Sequence, residues 1–190
     1  GMRNQMAVLL PEKSQARYLL SATNEDHTAT CSFERLGDNL AREVIAFMRT
    51  EGIMATTHRV SFICHSFGAV ICRAALRTPM LEPILPKLHT YLSFSGPHLG
   101  MMYASNPLVE LGIWGIRKFR GAQCLTELSL KDHAAPNECY MFTLSKGDML
   151  HKFSNVILVS SAEDRYVPHH SARIQLCPEA LHDPRMGSTF

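Results

Sequence analysis

The chain has 190 residues, of which 46% are hydrophobic and 19% charged, with a formal net charge of +2 at pH 7. That length suits one domain with a buried core, and the apolar content excludes a disordered tail. The small charge argues against a nucleic-acid partner. No apolar run approaches the roughly 18 residues a bilayer span needs. Six cysteines without a CxxC pair exclude a disulfide scaffold, a zinc ribbon and a thioredoxin-like motif. A reducing, cytoplasmic setting follows from that usage. The run Ala7-Val8-Leu9-Leu10, cut at once by Pro11, is no secretory signal.

In chain order, short apolar runs alternate with amphipathic stretches, the pattern of βαβ units. Arg17-Tyr18-Leu19-Leu20 reads as a short strand and Ser21 to Thr30 as a loop. Leu40, Val44, Phe47 and Met48 recur at helical spacing, with Asp38 as N-cap and Gly52 just past the end. Val60-Ser61-Phe62-Ile63-Cys64 is a β-prone run of the buried parallel kind, and Ala69 to Arg77 a helix stopped by Pro79. Tyr91 to Phe94 is a second strand, closed by Ser95-Gly96-Pro97. Asn106 to Arg120 reads as a helix with Asn106 as N-cap and Pro107 in the first position. Its apolar residues cover more than half its circumference, and Arg117, Lys118 and Arg120 gather at its end. It suits either a lid in peripheral membrane contact or an ordinary helix packed on the sheet. Asn155 introduces the third strand, Val156 to Val159, and Ser171 to Leu181 reads as the last helix. The expectation is one α/β domain over 1–190, its three clear strands adjacent and parallel, with helices on both faces.

The stretch with most chemistry runs from Val60 to Arg77: strand, then Cys64-His65-Ser66-Phe67-Gly68, then helix. A serine on such a sharp turn has its hydroxyl lifted above the sheet edge. The turn asks for small residues two before and two after; Gly68 meets this, and Cys64 stands where glycine is usual. The helix N-terminus behind Ser66 favours negative charge, and the Phe67 N–H is a candidate oxyanion donor. Cys64 itself, inside the strand end, points away from the exposed position and is a poor thiol nucleophile.

These residues carry a resemblance. The chain resembles the eukaryotic lipase-like serine esterases, and within them the domain at the C-terminal end of large proteins named only for sequence similarity to each other. The matching stretches are Val60 to Gly68, Tyr91-Leu92-Ser93-Phe94-Ser95-Gly96-Pro97-His98-Leu99-Gly100, and Asn155 to Val159. Asp164-Arg165-Tyr166-Val167-Pro168 and His170-Ser171-Ala172-Arg173-Ile174 continue the match, which covers most of the chain from about Phe33 onward. The resemblance implies an α/β-hydrolase fold and hydrolysis of carboxylic esters in lipid metabolism, with no cofactor. It names no substrate.

The hydrolase chain order is serine, acid, histidine. Asp164, in the loop after the third strand, is the candidate acid, with Glu163 the second choice. A triad acid orients the histidine and stabilises its charged form. Downstream lie His169, His170 and His182. The first two follow Asp164 too closely, and no strand-like run follows His182. The expectation is that the base lies outside the chain, with His182 the weak internal alternative. No His-Gly loop precedes Ser66, so the domain is expected to be incomplete at both ends. The second reading is accordingly a non-catalytic α/β module that binds lipid or a protein partner. His98 either lines the site or fixes the turn after the second strand, the latter preferred, and no ligand spacing supports a metal site built from His98, Asp164, His169 and His170.

Overall fold

The computed structural model describes residues 16–25, 27, 30–103, 123–147 and 149–184. Strands β1 (Val60–His65), β2 (Leu88–Phe94) and β3 (Asn155–Val159) form one parallel sheet in the order β1-β2-β3. Each of the three continuous apolar runs is thus a strand, and they lie side by side. Register pairs Phe62 with Tyr91 and Tyr91 with Val156, then Cys64 with Ser93 and Ser93 with Leu158. Because side chains alternate, these residues share one face.

That face carries the core. Helix α1 (Phe33–Thr50) buries Phe33, Leu36, Leu40, Ala41, Val44, Ile45 and Met48, a stripe at three- and four-residue spacing. Its N-cap is Ser32, whose Oγ accepts the Arg35 N–H at 3.2 Å. The expected cap, Asp38, lies inside the helix and pairs with Arg42 at 3.9 Å. The apolar period extends back through Leu36 to Phe33, about two turns earlier than the Leu40-based reading reaches, and Ser32 directly precedes it. At the other end the Gly52 N–H bonds the Arg49 carbonyl and the Ile53 N–H the Met48 carbonyl, both at 3.0 Å, as the helix closes on a left-handed Gly52.

Helix α2 (Phe67–Leu76) begins directly after Ser66, two residues before the expected start, and is buried at every position from Ala69 to Leu76. A helix between α1 and the sheet has no solvent face, so it is apolar all round except for the buried Arg73. Gly37 of α1 sits where a Cβ would lie 2.7 Å from the Ala74 Cβ and 2.7 Å from the Ala75 backbone nitrogen. The two helices touch nearly backbone to backbone there. Helices α3 (Gln123–Leu128) and α4 (Tyr140–Lys146) complete this layer, burying Cys124, Leu128, Met141 and Leu144.

On the opposite face Ile63, Ile157 and Val159 keep 41%, 47% and 40% of their surface exposed. Residues 17–20 form no strand, with Leu20 exposed and Arg17 paired to Glu51 at 3.6 Å. The expected helix over Ser171 to Leu181 is two short ones, α5 (His169–Ala172) and α6 (Pro178–His182). Ile174 takes a left-handed φ of 53°, and Cys177 is extended ahead of Pro178, as the residue before a proline prefers. The amphipathic stretch 106–120 lies outside the described residues. Among those described, no helix is long and apolar enough to cross a membrane.

Candidate active site

Ser66 follows β1 with φ 53° and ψ −127°, a backbone conformation that side-chain-bearing residues rarely adopt. Such a residue costs on the order of 1–3 kcal/mol and persists only where its surroundings over-determine it. Two bonds hold it: the Ser66 N–H donates to the Phe94 carbonyl at 2.9 Å, and its carbonyl accepts the Ala69 N–H at 3.0 Å. The strand before and buried helix after leave the turn no freedom. The hydroxyl makes no capping bond to α2. A Cβ at Gly68 would meet nothing within 4 Å, so the crowding expected two residues after the serine is absent. The constraint lies in the Ser66 backbone itself. Cys64 is buried on the core face, opposite Ser93.

Phe67 opens α2, its N–H in the first turn at the positive end of the helix. Its ring meets Phe33 edge-on at 6.1 Å between centroids. Phe33 in turn opens α1, its N–H donating at 2.8 Å to the buried Glu127 carboxylate.

Asp164 lies in the loop after β3. Its Oδ1 accepts the Tyr166 N–H at 2.9 Å and the Val167 N–H at 3.1 Å. Burial by itself would raise this carboxyl, but hydrogen bonds from the Ser95 side chain and from those two backbone groups, with the field of His65, hold it below the usual aspartate range. It is a carboxylate at neutral pH. Glu163 spends its N–H on the Ser161 hydroxyl and is exposed.

Ser66 and Asp164 both lie past strand C-termini, hence on the same sheet edge. Between them, at the end of β2, stands Ser95, again with a left-handed φ of 48°, its N–H on the Val159 carbonyl at 2.9 Å. Sequence reasoning missed it, although the closing Ser-Gly-Pro was in view. It also missed Arg73, whose signal was a cation inside an apolar helix, and Glu127, for which no local pattern exists.

Two of the downstream histidines are engaged elsewhere. His182 Nδ1 lies 2.7 Å from the Pro178 carbonyl, and the His170 ring packs 6.4 Å from that of Tyr103. Among the described residues no hydrogen bond joins His169, His170 or His182 to Ser66 or Asp164, and no group of three His, Cys, Asp or Glu is arranged to hold a metal. Ser171 ties this segment to the loop after β2, donating to the Gly100 carbonyl at 2.7 Å and accepting the Leu99 N–H at 3.0 Å. His98 is 1% exposed, its Nε2 2.9 Å from Ser93 Oγ, so it fixes the turn. Burial, with Arg73 nearby, pushes its pKa down to about 3.

A parallel sheet that presents a serine on a strained strand–turn–helix elbow belongs with the α/β hydrolase-like proteins. More narrowly, the chain matches the family described as "Putative serine esterase (DUF676)" over residues 2–177, and belongs to it. No solved structure matches the chain significantly.

Proposed function

We propose that the chain hydrolyses carboxylic esters, with lipid esters the favoured class, and that Ser66 is its nucleophile, Asp164 the acid of its triad and the Phe67 N–H one oxyanion donor. The observation that carries this reading is the strained Ser66 backbone (φ 53°, ψ −127°) between β1 and α2. The Ser66 hydroxyl attacks the ester carbonyl carbon while its proton passes to a base. The carbonyl oxygen becomes an oxyanion that accepts a hydrogen bond from the first turn of α2. Collapse expels the alcohol, which takes up the proton, and leaves an acyl-serine; water then repeats the sequence to release the acid. Asp164 stays ionised throughout, orienting an imidazole and stabilising it once charged.

A positioned base contributes on the order of 10²–10⁴-fold. With no described histidine bonded to either residue, free imidazole is the natural probe. Incubated with a fluorophosphonate, the chain should label slowly at Ser66, several-fold faster with added imidazole, and not at all as Ser66→Ala. Mass spectrometry of the peptide carrying Ser66 reads the result. A folded chain that stays unlabelled in imidazole would sink the esterase reading in favour of a non-catalytic module binding lipid or a protein partner.

A further inference from the structure

We infer that Ser95, at the tip of the middle strand, is a positioning residue whose hydroxyl anchors the Asp164 carboxylate to the sheet edge beside Ser66. The inference rests on the roles given above to Ser66 and Asp164.

Its first support is position. The strand order β1-β2-β3 puts the end of β2 between the ends that precede Ser66 and Asp164. The backbone ladder continues past the strands at both junctions, from the Ser66 N–H to the Phe94 carbonyl and from the Ser95 N–H to the Val159 carbonyl, each at 2.9 Å. Ser95 is thereby bonded to the strand that leads into the acid loop.

Strain is the second support. Ser95 has a left-handed φ of 48° although the next residue is a glycine, which tolerates that conformation far better. Like Ser66, it is a serine held where glycine would be easier. An observed outlier of this kind points toward a site that uses the side chain.

The third is what lies under the turn. A Cβ on Gly96 would come within 2.5 Å of Ser93 Oγ, 2.6 Å of the Ala69 Cβ and 2.8 Å of His98 Nε2. The loop is therefore pressed onto the first turn of α2. Arg73 Nη1 donates to the His98 carbonyl at 2.8 Å, and the Tyr91 hydroxyl donates to the Ala69 carbonyl at 2.8 Å. Arg73, Tyr91, Ser93 and His98 are all buried. The turn carrying Ser95 is fastened to the helix carrying Ser66, so a bond from Ser95 to Asp164 fixes the acid relative to the nucleophile.

Last, the backbone bonds from Tyr166 and Val167 to Asp164 come from its own loop. They shape that loop without locating it. From outside that loop, the groups that hold the carboxylate low are the Ser95 side chain at the end of β2 and His65 at the end of β1.

The test follows the Asp164 carboxyl carbon by NMR through a pH titration in the unaltered chain, in Ser95→Ala and in Ser95→Gly. Both variants should move the Asp164 midpoint upward, toward the ordinary aspartate value. Ser95→Gly should do so with the melting temperature unchanged or raised, because glycine relieves the strained φ. A residue that only shapes the turn would alter melting and leave the titration where it was; an unmoved midpoint in Ser95→Gly overturns the inference, even if Ser95→Ala fails to fold. The readout needs no catalysis. A shifted midpoint in a chain whose Ser66 stays inert to fluorophosphonate with imidazole would keep the Ser95 bond and discard the esterase reading. An unmoved midpoint beside Ser66-dependent labelling would do the reverse.

Discussion

Urea denaturation at successive pH values between 7 and 4 should show the chain losing stability steadily, with His98 the main cause. Its imidazole is 1% exposed and bonded through Nε2 to Ser93, and its Nδ1 has no hydrogen-bond partner among the described residues. Burial, then the nearby Arg73, lowers its pKa from 6.5 to about 3. Between those values the unfolded chain binds a proton that the folded chain refuses, so stability rises with pH across the window and falls on acidification. At about 1.4 kcal/mol per pH unit, the loss reaches about 2 kcal/mol by pH 5 and about 5 kcal/mol by pH 3. A typical domain has only about 5–15 kcal/mol in all. Asp164, held low, gives up its contribution only below the ordinary aspartate range, further into acid. Glu127, raised mainly by burial, has the opposite sign: its cost is present above its folded pKa and is relieved as pH falls. Glu127→Gln should therefore steepen the acid loss. His170, lowered mainly by burial, adds to His98 in the same direction. His98→Gln, which retains a side chain able to bond Ser93, should flatten most of the slope and leave the His170 remainder. A slope unchanged in that variant would mean that His98 is not the group refusing the proton.

The three strands were legible because a strand inside a parallel sheet must be apolar along its whole length, and little else in this chain is both short and continuously apolar. Their pairing followed from the crossover helices between them. What failed was local. Arg17 to Leu20 has strand composition, but it pairs with none of the three described strands, and composition carries no information about pairing. The start of α1 is ambiguous in the sequence because Asp38 and Ser32 are equally good caps; the buried stripe reaching back to Phe33 decides for Ser32. The apolar spacing around Pro178 is helical on both sides, while the left-handed Ile174 that breaks the helix is held by its own N–H on the Ser171 carbonyl and by the Gln175 N–H on the His170 carbonyl, bonds that no spacing reveals.

At the site, the elbow was readable because its parts are contiguous: strand, serine and helix follow one another in the chain. The supports of the elbow are not contiguous. Arg73 reaches His98, Tyr91 reaches Ala69 and Glu127 reaches Phe33 across spacings that only the folded chain closes. Gly68 departs from what the serine motif implies, because a Cβ there would meet nothing within 4 Å. Crowding instead falls on Gly96 and Gly37, which no serine motif mentions.

Gly37→Ala is the substitution for which local and tertiary reasoning disagree most sharply. In an exposed helix, alanine is better than glycine by roughly 1 kcal/mol, so propensity alone predicts a more stable α1. The new Cβ, however, would lie 2.7 Å from the Ala74 Cβ, 2.7 Å from the Ala75 nitrogen and 2.8 Å from the Ala74 carbonyl carbon. Two of those three atoms are backbone, and no rotamer moves them aside. Overpacking of this kind costs about 1–3 kcal/mol, and contact with a helix backbone belongs at the upper end. The variant should be less stable by about 1–2 kcal/mol net, a fall in melting temperature of about 3–6 °C for a chain of this size. Adding Ala74→Gly should recover only part of the loss, because it removes the side-chain contact and leaves the backbone ones. The displaced element is α2, whose first turn holds Ser66 and packs against Gly96, so Ser66 labelling with imidazole should slow as well. A rise in melting temperature would show that α1 can move outward without disturbing α2, and that the close approach of the two helices is not what positions the elbow.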